Sequence, residues 1–88
     1  MKLKDGIVLS QMGDEYVAVA TGEASKNFNG MIRINPTAAL LMEHLQKETT
    51  VDSLVKVLLD NYEVDEATAK RDVETVVESF RRVNLLNE

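Results

Sequence analysis

Two hydrophobic periods divide the chain, and the change between them falls at Asn35-Pro36. Before it, apolar residues come in short runs of β-forming types; after it, they recur at intervals of three and four. The early runs predict strands over 7–12 and 16–20, joined by a short hairpin loop at Gly13-Asp14-Glu15, and a third over 31–34. Asn29-Gly30 supplies the turn before the third strand, since both residues tolerate positive φ. The polar connection over 21–30 is longer than a tight hairpin and gets no structure assigned. Alternation sets Tyr16, Ala18 and Ala20 against Val17 and Val19, and the valines are the expected core face of the second strand. In the third strand Ile32 and Ile34 should face the helices, with Arg33 in solvent or at a rim.

Asn35 can cap a helix, because its side-chain oxygen can accept from the free amides of the first turn, and Pro36 suits the first helical position, which needs no amide proton. The spacing predicts helices over 36–46, 51–62 and 66–84. Ala38, Leu41, Met42 and Leu45 form the stripe of the first, with Leu40 on its back, which implies contact on two sides. A threonine of Thr49-Thr50 caps the second, and Asp65 caps the third. The third helix carries Ala69, Val73, Val76, Val77, Phe80 and Val83 on one face; Lys70, Glu74 and Arg81 lie along one flank, and Asp72, Thr75, Ser79 and Arg82 along the other. Leu85 or Leu86 should return to the core. Three short strands followed by three helices predict an α+β fold, with a three-stranded antiparallel meander whose last strand is an edge.

The length, 88 residues, predicts one domain near the lower limit of what burial can hold together. No apolar run approaches the roughly 20 residues of a membrane span, and the start, Met1 to Gly6, has no signal-peptide core, so the expectation is a cytoplasmic protein with no membrane partner. The absence of cysteine excludes disulfides, thiolate metal sites and cysteine nucleophiles. Charge is unevenly divided. Lys2, Lys4, Lys26 and Arg33 balance Asp5, Asp14, Glu15 and Glu23 in residues 1–35, so the net −5 lies wholly beyond them. That balance argues against a nucleic-acid partner, which would be met by a basic face.

Catalytic chemistry has little to stand on. Glu63, Asp65 and Glu66 cluster, but at a helix start, where acids answer amide dipoles. The four glycines form no phosphate loop, and His44, the one histidine, sits on the flank of a helical stripe with no serine placed to use it. No cofactor and no metal are expected. An unpaired edge beside a helix is, by contrast, a binding device: an extended peptide can add as a further strand while alternate side chains enter the gap. The competing reading of the same edge is that the helix covers it or that it pairs with a second copy in a homodimer.

Asn29-Gly30, Ile32, Ile34-Asn35, Thr37-Ala38-Ala39 and Leu45, followed by Thr50, Leu54, Leu58-Leu59, Tyr62, Val64, Ala69, Asp72-Val73 and Leu85-Leu86, resemble the PqqD family, as does the opening Asp5 to Leu9 with Gly22-Glu23-Ala24. The likeness spans nearly the whole chain, 1–88. It departs at Met42, where the family often has tryptophan, and at Lys47-Glu48, where a glycine often ends the first helix. What the resemblance implies is a winged helix-turn-helix-like RiPP recognition element without catalysis. Such a peptide chaperone binds the leader of a ribosomally made precursor and presents it to a modifying enzyme, often a radical S-adenosylmethionine (SAM) enzyme, in PQQ biosynthesis or a related pathway. Carried over by position, the peptide contacts fall on Met31, Ile32, Arg33 and Ile34 and on Lys70, Glu74, Val77 and Arg81 of the third helix, with Asp72 either a further contact or a structural acceptor. The alternatives are a DNA-binding winged helix, disfavoured by the mixed charge of the third helix, and a structural subunit of an enzyme complex.

Overall fold

A computed structural model describes residues 1–22 and 31–87. The described elements run in the order β1 (Lys2–Leu3), β2 (Ile7–Met12), β3 (Glu15–Ala20), β4 (Met31–Ile34), α1 (Pro36–His44), α2 (Val51–Asn61), α3 (Glu66–Arg82) and β5 (Leu86–Asn87). Strands β2, β3 and β4 form an antiparallel sheet in that order, with Met12 opposite Glu15 across the hairpin and Tyr16 opposite Ile34. Gly13 turns that hairpin at φ +66°, a backbone region open to glycine at little cost. The turn expected at Asn29-Gly30, with the rest of the connection from residue 23, lies outside the described residues.

Each helix begins where its cap is expected. Asn35 Oδ1 accepts from the Ala38 amide at 2.7 Å, Thr50 Oγ1 from Ser53 at 3.1 Å, and Asp65 Oδ1 from Thr68 at 2.7 Å. Each cap satisfies one of the amides that a helix start leaves without an internal acceptor. The Asp65 carboxyl is held below its ordinary value, chiefly by the Thr68 backbone hydrogen bond. The helix ends fall one or two residues before those predicted, as fraying last turns do. At the end of α3 the cause is specific. Asn84 takes φ +60°, its amide donates to the Arg81 carbonyl at 3.1 Å, and Leu85 donates to Phe80 at 3.0 Å. This pair of bonds is a Schellman closure with asparagine where glycine is usual, and it turns Leu85 and Leu86 back into the core, where both are buried.

The core joins the stripes of all three helices, including Leu41, Met42 and Leu45 of α1 with its following residue, Leu54 and Leu58 of α2, and Val73, Val77 and Phe80 of α3, to the inner face of the sheet. In β3 that inner face carries Ala18 and Ala20, not the expected valines: Ala18 is fully buried within the core, whereas Val17 is buried outside it. The register explains the choice. Ala18 lies between Leu9 and Ile32, so a small central residue flanked by large ones leaves room for α1 to approach. Ile32 and Ile34 pack against the core as expected.

A second sheet has no counterpart in the sequence pattern. Lys2 and Leu3 pair with Asn87 and Leu86, the Leu3 amide donates to the Leu45 carbonyl at 2.8 Å, and the Lys4 amide donates to Leu85 at 2.8 Å. The two ends of the described chain are thereby tied together under the helices. The whole is a winged helix-turn-helix-like α+β arrangement, with β2, β3 and β4 as the wing. No described helix is long and apolar enough to cross a membrane.

Candidate peptide-binding groove

Strand β4 is short because Pro36 stops it. Proline cannot donate to a ladder but fits the first turn of a helix, so the chain passes from strand to α1 through Asn35 alone. Among the described residues β4 pairs with β3 on one side, and nothing pairs with its other side. In such an edge strand alternate amides and carbonyls point away from the sheet and are available to an added strand.

Beside that edge lies a groove between β4 and α3. Its floor and walls are apolar: Ile32, Ile34 and Ala38 on one side, Val76, Phe80 and Val83 on the other, with Leu85 beneath. Its rim is polar, made of Arg33, Asn35, Thr75 and Ser79. Thr75 Oγ1 donates to the Arg71 carbonyl at 2.9 Å and Ser79 Oγ to Val76 at 3.0 Å. Each hydroxyl proton is therefore used within the helix, and the oxygens are left as acceptors at the groove edge.

The structure brings Ile32, Arg33 and Ile34 together at this groove, with Met31 at the head of the same strand. It does not bring Lys70, Glu74, Val77 and Arg81 there. Lys70 borders a hollow shared with Asp52, Lys56 and Leu59 of α2, while Glu74, Val77 and Arg81 border another that reaches Val51 at the start of α2. Val77 is moreover 2% exposed, its side chain spent on the core. Thr75 and Ser79 border both the groove and the second hollow, so they form the ridge between them. Asp72, half-buried, lies one turn before Thr75 and Val76, on the groove flank. Val76, Phe80, Val83 and Leu85 are groove residues that the sequence pattern assigns to the core alone. Their signal is present in the width of the apolar stripe, which is broader than a core contact requires.

Electrostatics weaken the DNA reading. Glu78 accepts from Arg81 at 3.1 Å and lies 3.8 Å from Arg82, so the basic pair at the end of α3 faces a carboxylate of its own helix. No group of histidine, aspartate or glutamate residues suited to a metal ion occurs among the described residues.

Comparison with known proteins agrees with this architecture. Residues 8–86 match the family described as coenzyme PQQ synthesis protein D (PqqD). The chain belongs to the PqqD family. Two solved structures share the PqqD-like fold seen here. One is TbiB1 in complex with the TbiA(beta) leader peptide, at TM-score 0.77 and 20% identity, covering 99% of this chain and 95% of that one. The other is lasso peptide synthetase B1 complexed with the leader peptide, at TM-score 0.75 and 22% identity, covering 99% and 96%. No curated protein sequence matches the chain.

Proposed function

We propose that this PqqD-family chain captures the leader of a ribosomally made precursor peptide as a strand added to β4 and presents it to a separate modifying enzyme. The observation that carries this reading is the unpaired side of β4 running beside an apolar groove. A guest strand gains backbone hydrogen bonds along the edge and buries every second side chain against Val76, Phe80 and Val83. The fold is shared with two proteins solved with leader peptides, and the family is that of a PQQ synthesis protein. Residues 1–88 work here as one recognition unit in the cytoplasm, without catalysis or a cofactor of their own. The enzyme served is a radical SAM enzyme or another peptide-modifying enzyme, and the product is pyrroloquinoline quinone or another modified peptide.

The backbone contacts are those of Met31, Ile32, Arg33 and Ile34. On α3 the guest meets Thr75, Val76, Ser79, Phe80 and Val83, which line the groove where Lys70, Glu74, Val77 and Arg81 do not, and Asp72 is either a further contact or a structural acceptor. Titrating the isotope-labelled protein with the leader of a candidate precursor peptide tests the reading. Amide shifts should concentrate at 31–34 and 72–83; shifts spread evenly, or none, would sink it. A second copy can use the same edge, and a homodimer built on β4 would dissociate as leader is added, which sedimentation reads directly.

A further inference from the structure

Alternation along β4 divides its side chains between two environments. Ile32 and Ile34 turn inward against the core, which leaves Met31 and Arg33 on the outer face of the wing, with Met31 63% exposed and the Arg33 side chain 80% exposed. Arg33 is the one basic residue among the described residues lining the groove, in a chain whose net charge is −5. Its guanidinium lies 3.6 Å from Glu15 Oε1, on the β3 side. The register accounts for that contact, because Arg33 pairs with Val17 and Glu15 stands two residues further along β3, a diagonal neighbour on the same face. One carboxylate at that distance occupies only part of a group with five N–H donors in a fork. The opposite flank of Arg33 is the side on which a guest strand would lie.

We infer that Arg33 selects among guest peptides: the guest residue paired with it is aspartate or glutamate, and the residues on either side of that acid are apolar. The inference rests on the strand-addition reading and adds to it the chemistry of the guest. A guest side chain opposite Arg33 stands on the outer face, close enough for a carboxylate to meet the guanidinium fork and for a lysine to be repelled. Its two neighbours necessarily point the other way, opposite Ile32 and Ile34, into the groove walled by Val76 and Phe80. The arrangement also fixes register. A slip by one residue would put the acid among apolar side chains and the apolar residues into solvent. Among the described residues that line the groove Arg33 is the one cation, so it marks the position along β4 where a guest acid is welcome.

Display selection of random octapeptides against the protein tests this whatever the sequence of the natural leader, with selected peptides checked by amide shifts at β4. The wild type should enrich an acid between two apolar residues, and a glutamate-to-lysine change at that position should weaken binding by up to about fivefold, less in high salt. Arg33→Glu, at a well-solvated side chain, should reverse the preference to lysine or arginine while keeping the apolar neighbours. Retention of the acid preference in Arg33→Glu, or its absence in the wild type with β4 shifts intact, would overturn the selection by Arg33 and leave strand addition standing. Selected peptides that leave β4 unshifted would overturn both.

Discussion

The two flanks of α3 are made from the same helix and do opposite things. Toward β4 it presents Val76, Phe80 and Val83 behind a ridge of Thr75 and Ser79, with no charged group on the wall itself. Toward α2 it presents Arg71, Glu74, Glu78 and Arg81, charges of both signs within one hollow. The first flank can desolvate cheaply and still offer acceptors at its edge, so it suits a guest that brings apolar side chains and amides. Charges on the second remain hydrated and partly answer one another, as in the contacts of Glu78 with Arg81 and Arg82, and exposed pairs of that kind contribute little to binding or stability. What sets the character of a helix face here is therefore which neighbour it turns to, an apolar groove beside β4 or a charged hollow beside α2.

The largest expected effect comes from removing a side chain that the groove and the core share. Phe80 is 3% exposed, lines the groove and belongs to the core, so Phe80→Ala should lower unfolding free energy by about 3–5 kcal/mol, read by urea denaturation. A chain of this size can lose its fold at that cost. A sharper comparison comes from single changes on each flank. Val76→Asp should weaken leader binding by about tenfold or more, because it places a carboxylate on the apolar wall, whereas Glu74→Ala should change it less than about twofold. Equal losses from the two variants in calorimetric titration would erase the distinction between the flanks.

A smaller effect is expected at the strand-to-helix junction. Asn35→Ala deletes the 2.7 Å cap to Ala38 and should cost about 1 kcal/mol in thermal unfolding, with leader affinity falling too because Asn35 sits on the groove rim. The smallest concerns Asp65, whose carboxyl is depressed below 3.8 by the amide of Thr68. A depressed acid favours the folded state while ionised, so its contribution is complete above the ordinary value and fades as pH falls beneath it. Acid titration of helicity should show this fading in the wild type and lose it in Asp65→Asn.

How much of this can be seen in the sequence depends on how local each cause is. Caps at Asn35, Thr50 and Asp65 are legible because cap and recipient lie three residues apart. The edge position of β4 is legible because the run of β signals ends at Ile34. The groove flank of α3 is not, since a helical wheel displays a stripe but does not say which neighbour stands on which side of it. Lys70, Glu74 and Arg81 border the hollows toward α2 and not the groove for that reason, whereas Thr75 and Ser79, on the other flank of the stripe, line it. The face of β3 misleads for a different cause, as valine outranks alanine by propensity, yet the close approach of α1 needs the smaller side chain at position 18. Strands of two residues, such as β1 and β5, carry no period at all.

Leu85 belongs to two systems at once. It is part of the groove floor, and its carbonyl receives the amide of Lys4. A visitor lying along β4 therefore rests on a plank nailed down by the opposite end of the polypeptide. Slower exchange of the Lys4 amide with solvent should accompany occupancy, and cutting away the first few residues should loosen the visitor's hold without touching any atom it contacts.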